Sequence, residues 1–332
     1  MAGLLIFSRD PGPTNLLIAV IEALAAAPAS DEPAGLAALR AAIGPAMDAG
    51  LTIATRAPGE ASWREAGYAV KPWQGGGERA AEALLAAAAA SAVLTGTSDV
   101  DESGDRAFWL AARKQGIVSH AALDHPANLE LRFVNADGTG ARPDWFYVPD
   151  ESFAERLAAA IPRDRIRTIG DLHHGRLRRL AAAQKTDAVR RLRANWGAGT
   201  ADFVVLFASE CGREMASVGR PSPYDEMEML GDLLRRLARG QCPGGGSLDS
   251  ASTVVVVRPH PRDSAGKYAS FVGVQAAPKV VVSAEASPPL ALLAADLVVG
   301  MNSSLLYEAY EIGRPVVSLT GHDIAAGKSR SG

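Results

Sequence analysis

Val254-Val255-Val256-Val257-Arg258-Pro259-His260-Pro261 is an apolar β-branched run that stops at a histidine held between two prolines. Four consecutive valines without polar alternation read as a parallel strand buried on both faces. The prolines end the strand, because neither can donate to a ladder, and they restrict the backbone around His260. A second stretch repeats the pattern. Asp296-Leu297-Val298-Val299 runs into Gly300-Met301-Asn302-Ser303-Ser304-Leu305-Leu306-Tyr307-Glu308, an apolar run ending at a glycine, two hydroxyls and a helix-like segment. Both polar clusters fall where a parallel strand finishes. In open α/β sheets, ligands sit outside the carboxyl ends of the strands.

Outward from these stretches, strand-length apolar runs alternate with helical segments. Strands are expected at residues 4–7, 51–55, 92–95, 117–123, 145–148 and 166–169, and again at 203–208, 254–257, 280–282, 297–299 and 316–319. Helices are expected at residues 16–27, 78–91, 106–115, 224–239, 290–294 and 305–312. The alternation predicts an α/β protein of βαβ units with parallel sheets. A chain of 332 residues is long for one domain. The expected division is a Rossmann-like domain over residues 1–175, a charged helical linker over 176–201 and a second Rossmann-like domain over 202–332, the two domains facing each other across a cleft.

A net charge of −3 gives no electrostatic case for nucleic acid or for an anionic membrane surface. Two cysteines, Cys211 and Cys242, form no disulfide framework and no metal-type spacing, which favours a reducing compartment. The first residues form a strand-length apolar run without a basic region, unlike a secretory signal. No run of eighteen apolar residues suggests a membrane span. The expectation is a cytoplasmic protein with at most peripheral membrane association. The residues specify no oligomeric state.

The segment Asp10-Pro11-Gly12-Pro13-Thr14-Asn15 reads as a loop from the first strand to the first helix, with Thr14 or Asn15 as N-cap. Gly12 permits close backbone approach, and the helix start favours an anion or a sugar hydroxyl. Asp10 is a candidate catalytic base. Gly12, Asn15 and Thr97, the last in Thr95-Gly96-Thr97-Ser98, are candidate acceptor or sugar contacts. The plainer reading of each is an ordinary polar turn. Asp124 and His125 end the strand at 117–123. A neighbouring carboxylate can raise a histidine's pKa and orient its ring for general-base work. No third ligand lies at a recognisable spacing, so no metal is expected. His173 and His174 are expected in an interdomain loop, with His173 touching ligand. Adjacent strand residues point opposite ways, so the two would not share one metal.

In the second half, His260 is expected to donate to a phosphate, with Arg258 beside it. Asn302, Ser303 and Ser304 open a helix whose amides and hydroxyls suit phosphate. Glu308, one turn beyond Ser304, can accept hydrogen bonds from ribose hydroxyls. The plainer reading is a proline-terminated strand, a serine N-cap and a surface glutamate.

Taken together, these residues resemble the GT-B glycosyltransferase superfamily over most of the chain. Arg142-Pro143-Asp144-Trp145-Phe146-Tyr147-Val148-Pro149-Asp150 and Ile166-Arg167-Thr168-Ile169-Gly170-Asp171 look like the end of a GT-B N-terminal domain. The His-Pro and Ser-Ser motifs are similar to those of bacterial sialyltransferases and Kdo transferases, which use CMP-sugars, and of CDP-glycerol glycerophosphotransferases. In those enzymes the motifs bind the nucleotide phosphate, a role that the resemblance assigns to His260, Ser303 and Ser304. It implies an inverting, metal-independent transfer from a nucleotide-sugar to an acceptor hydroxyl in cell-surface polysaccharide or glycoconjugate synthesis. The nucleotide-sugar would be a co-substrate and no cofactor would be needed. The first domain would hold the acceptor and the second the donor. Asp10 or the Asp124/His125 pair would be the base. UDP-N-acetylglucosamine 2-epimerases are similar in layout, but their Gly-Gly…Glu-Glu signature is here Asn-Ser-Ser…Tyr-Glu. An epimerase and a non-catalytic nucleotide-sugar-binding scaffold are the alternatives. The chain also stops soon after Leu319-Thr320-Gly321-His322, where the family usually continues into a helix that crosses back to the first domain.

Overall fold

The computed structural model describes residues 2–100, 104–125, 128–134, 138–220, 222–274, 277–284 and 287–325. The chain forms two units, one ending at His173 and the other beginning at His174.

The first unit carries strands β1 (Gly3–Ser8), β2 (Leu51–Thr55), β3 (Lys71–Pro72), β4 (Ala90–Thr95), β5 (Val118–Ala122), β6 (Trp145–Val148) and β7 (Ile166–Thr168). Its helices are α1 (Pro11–Ala25), α2 (Ala34–Ala49), α3 (Gly59–Glu65), α4 (Gly77–Ala87), α5 (Asp105–Lys114), α6 (Leu129–Arg132) and α7 (Glu151–Ala158). The seven strands form one sheet of order β3-β2-β1-β4-β5-β6-β7, parallel at every pairing. β1 explains why the apolar runs lack alternation. Leu4 and Ile6 pack with α1 and α2, while Leu5 and Phe7 pack with α4 and α5. Successive side chains enter opposite cores, so every position must be apolar.

The chain passes into the second unit along α8 (Leu172–Ala183) and then α9 (Thr186–Asn195). The remaining elements are β8 (Phe203–Ala208), α10 (Gly212–Ser217), α11 (Glu226–Ala238), β9 (Thr253–Arg258), β10 (Lys279–Val282), α12 (Pro288–Ala294), β11 (Leu297–Gly300), α13 (Ser304–Glu311) and β12 (Val316–Ser318). The sheet order is β10-β9-β8-β11-β12, again parallel throughout. β8 is buried like β1. Val204 and Leu206 join a core with Ala291, Leu292 and Leu306, while Val205 and Phe207 meet Leu230, Leu233 and Leu237 of α11. The charged segment expected as a linker is two helices. Arg193 of α9 ties it to the second unit through the carbonyl of Ala294 at 3.0 Å and Asp296 at 2.9 Å.

Each sheet reverses its winding once, between β1 and β4 in the first unit and between β8 and β11 in the second. At such a switch point the connections leave in opposite directions and open a crevice beyond the strand ends. Among the described residues no helix is long and apolar enough to cross a membrane.

Candidate functional site

The first switch point gathers several candidates. The structure places Gly12 and Asn15 inside α1, which begins at Pro11 and not near Leu16. Proline suits a first helical turn because it lacks the amide hydrogen that would go unpaired there. With Pro11 and Pro13 both lacking that hydrogen, the start of α1 is a sparse set of donors. Thr14 is not the cap. Its hydroxyl bonds the Asp10 carbonyl at 2.7 Å and the Ser8 hydroxyl at 2.8 Å. Asp10 holds the N-cap position, yet its side chain makes no capping bond. The carboxylate instead pairs with Arg9 at 2.9 Å and accepts the Ser98 hydroxyl.

Asp124, beyond β5, pairs with Arg132 at 3.2 Å, and the same guanidinium donates to the Thr97 hydroxyl at 2.6 Å. A Cβ on Gly12 would lie 2.3 Å from Asp124 Oδ2, so glycine is what lets the carboxylate reach the first turn of α1. Asp10, Gly12, Thr97 and Asp124 therefore occupy one region at the ends of β1, β4 and β5. His125 follows Asp124. Desolvation by the surrounding protein lowers its pKa, and the Arg132 and Arg156 charges add to that, outweighing the opposing Asp124 carboxylate. This reverses the expected direction. A neutral imidazole remains a competent proton acceptor. Pro126, next in that cluster, lies outside the described residues.

Asp105 is a further carboxyl in this region that the sequence does not advertise. It is 2% exposed and accepts the Ser98 amide at 2.9 Å, so Ser98 links Asp105 to Asp10. Its other oxygen, Oδ1, is buried without a hydrogen-bond partner among the described residues. Burial pushes its pKa up to about 7, against the pull of Arg106 and of backbone amides. The sign of the linkage follows. Between the ordinary carboxylate value and about 7, the folded chain keeps a proton that the unfolded chain has released. Stability therefore falls as pH rises through that window. Asp105→Asn removes the titration. Its stability relative to the parent should rise by roughly 2–4 kcal/mol from the acid to the neutral end of the window. Parallel pH–stability curves from urea melts would contradict this.

The second switch point places the candidate phosphate ligands on adjacent strands. His260 follows β9, and Asn302 to Ser304 follow β11, with β8 between them. Arg258 is the last residue of β9, and its carbonyl accepts the Ser209 amide at 3.1 Å. The Arg262 amide donates to His260 Nδ1 at 3.1 Å, which places the ring proton on Nε2. Ser303 is the N-cap of α13, its hydroxyl accepting the Leu305 amide at 3.3 Å. Asn302 Oδ1 accepts the Tyr307 hydroxyl at 3.2 Å, and Ser304 is exposed. Glu308 is 9% exposed, beside Leu306 and Ala309 of the core, so little of it is open to a ribose.

These two sheets invite comparison with solved structures. No protein-family profile matches the chain, and no curated protein does. UDP-N-acetylglucosamine 2-epimerase from Neisseria meningitidis, bound to UDP-GlcNAc, superposes with TM-score 0.63 at 13% identity, covering 99% of this chain and 85% of that one. The S. aureus MnaA–UDP structure gives TM-score 0.64 at 11% identity over 99% of this chain and 82% of that one. The Methanocaldococcus jannaschii UDP-GlcNAc 2-epimerase in complex with UDP-GlcNAc and UDP gives 0.62 at 13% over 98% and 86%. The fold is GT-B-like.

Within the GT-B-like fold, two expectations change. His173 and His174 lie in the first turn of α8, not in a loop. The other change is at the switch-point strand itself, where a carboxylate joins the site. Glu210, beyond β8, accepts the Asn302 amide at 2.5 Å and the Tyr224 hydroxyl at 2.6 Å. A carboxylate thus sits between the His260 turn and the start of α13. Burial, then the Glu210 hydrogen bond and charge, raise the Tyr224 pKa, so the phenol keeps its proton and remains a donor. Strand order alone brings Glu210 here, and no local pattern in Ser209-Glu210-Cys211 marks it.

Proposed function

We propose that the chain is a nucleotide-sugar-dependent glycosyltransferase that works by metal-independent inversion. The observation that carries this reading is His260, fixed beside the switch-point strand of a parallel sheet with its ring proton on Nε2. That N–H is a donor for the phosphate of a nucleotide donor, joined by the Ser303 and Ser304 end of α13. In the first unit, Asp10 or the Asp124/His125 pair takes the proton of an acceptor hydroxyl. The freed oxygen attacks the anomeric carbon, and the bond from that carbon to phosphate oxygen breaks. Its electron pair leaves on the nucleotide, where the His260 N–H meets the growing charge. A single displacement inverts the anomeric centre. The His-Pro and Ser-Ser motifs favour a CMP-sugar type of donor, cytoplasmic supply of that donor, and a product in polysaccharide or glycoconjugate synthesis.

Epimerisation of the nucleotide-sugar is the second reading. It is favoured by the likeness in fold to UDP-GlcNAc 2-epimerases over nearly the whole chain. Product analysis with a panel of UDP-, CMP- and CDP-linked donors separates the two. Transfer predicts nucleotide release that requires an acceptor and survives EDTA. An isomerised donor formed without acceptor means epimerase. Binding without turnover across the panel would reduce the chain to a scaffold.

A further inference from the structure

Beneath the His260 turn lies a buried charge cluster for which the proposed chemistry has no use. Lys267 Nζ meets Glu214 at 2.6 Å, Glu226 at 2.5 Å and Asp263 at 2.7 Å. The lysine side chain is 5% exposed, that of Asp263 2% and that of Glu226 0%. Burial works against the ammonium charge, but hydrogen bonds to the three carboxylates outweigh it and hold the Lys267 pKa above the ordinary value. The carboxylate oxygens lie within 4.8 Å of one another, the spacing of an oxygen cage for a hard divalent cation. Glu226 Oε2 is buried without a hydrogen-bond partner among the described residues, an acceptor that the single ammonium does not satisfy. Without a cation, the buried Glu226 and Asp263 carboxylates and the partly exposed Glu214 would repel one another at this spacing.

The cage is joined directly to His260. Asp263 Oδ2 accepts the His260 amide at 2.8 Å, and the Asp263 amide donates to the His260 carbonyl at 2.9 Å. That closed turn is what presents the Arg262 amide to His260 Nδ1. The Tyr268 hydroxyl adds a bond to Asp263 at 3.0 Å and reaches Ser209 at the end of β8. We propose that Lys267 is a built-in cation occupying an acidic cage and, through Asp263, a positioning residue that holds the His260 imidazole in its Nε2–H form. The inference rests on the proposed role of His260 as a phosphate donor and extends it to the residues that set that role. Lys267 does for the cage what a bound divalent ion would do, from the protein's own chain.

The test uses the full-length protein, its Lys267→Ala and Asp263→Asn variants, the ¹⁵N imidazole signals of His260, and titrations with UDP, CMP and Ca²⁺. The parent should show the Nε2–H tautomer and no response to Ca²⁺. Lys267→Ala should lose the single tautomer and roughly tenfold in nucleotide affinity, the scale of losing a supporting contact. Ca²⁺, entering the emptied cage, should restore both. A purely structural lysine would not be replaced by an ion. Asp263→Asn should lose the tautomer with no rescue by Ca²⁺. If Lys267→Ala keeps the parent's His260 signals, or loses them without rescue by Ca²⁺, the inference is overturned. Should Lys267→Ala fail to fold, Asp263→Asn decides, and unchanged His260 signals there overturn it. Imidazole changes as expected, with no nucleotide binding to any of the proteins, would support the inference while removing the functional reading beneath it.

Discussion

His260→Ala should weaken donor binding and slow turnover together. The variant removes a hydrogen bond to a charged group, which contributes about 1.5–3 kcal/mol, or roughly tenfold to 150-fold in an equilibrium constant. Part of the loss should fall on the turnover rate, because the phosphate gains charge as the glycosidic bond breaks and the N–H is worth more at that point. The structure strengthens the argument on the side of geometry. A histidine whose Nδ1 is already occupied by a backbone amide cannot switch tautomer without breaking the turn, so its donor atom is fixed in advance. Donor titration and steady-state kinetics on the variant check both halves. Unchanged affinity and rate would leave Pro259-His260-Pro261 as a strand terminator and remove the main support for transfer.

Asp124→Asn and Asp10→Asn should behave differently, sparing nucleotide affinity and lowering turnover. The loss should be roughly a hundredfold or more for whichever residue is the base. The surroundings set the two apart. Asp124 is paired with Arg132, lies against the first turn of α1 at Gly12 and is followed by His125, whose pKa is lowered. Asp10 is paired with Arg9 and accepts from Ser98, which is in turn held by Asp105. Asn keeps the shape of each carboxylate and removes its basicity, so a large fall in turnover with intact binding identifies a proton acceptor. Equal losses of binding and turnover in both variants would assign these carboxylates to structure.

The parallel sheets were legible because burial on both faces writes an unbroken apolar run, as in β1, β8 and β9. The α11 helix was equally legible from its stripe of Leu230, Leu233, Leu234 and Leu237, all buried. What escaped has physical reasons. Helix α2 carries Pro45 inside it and follows Pro33, so its composition resembles a turn although Leu36, Leu39 and Ile43 form a buried face. The start of α1 read as a loop because Pro11, Gly12 and Pro13 are turn residues as well as tolerable first-turn residues. In the candidate site, residues that end recognisable strands were found, among them Asp10, Asp124 and His260. Glu210, Asp105 and Lys267 were not. Their places depend on strand order, on burial and on a contact across a turn, and none of these has a local signature.

The second unit is expected to carry the nucleotide. Hydrogen–deuterium exchange on the full-length protein, with and without UDP or CMP, tests it most directly. Slower exchange is expected at the amides of His260, Arg262 and Asp263 and at those of Asn302 to Leu305. Protection confined to the first unit around Asp10, Thr97 and Asp124, with these amides unchanged, would contradict it.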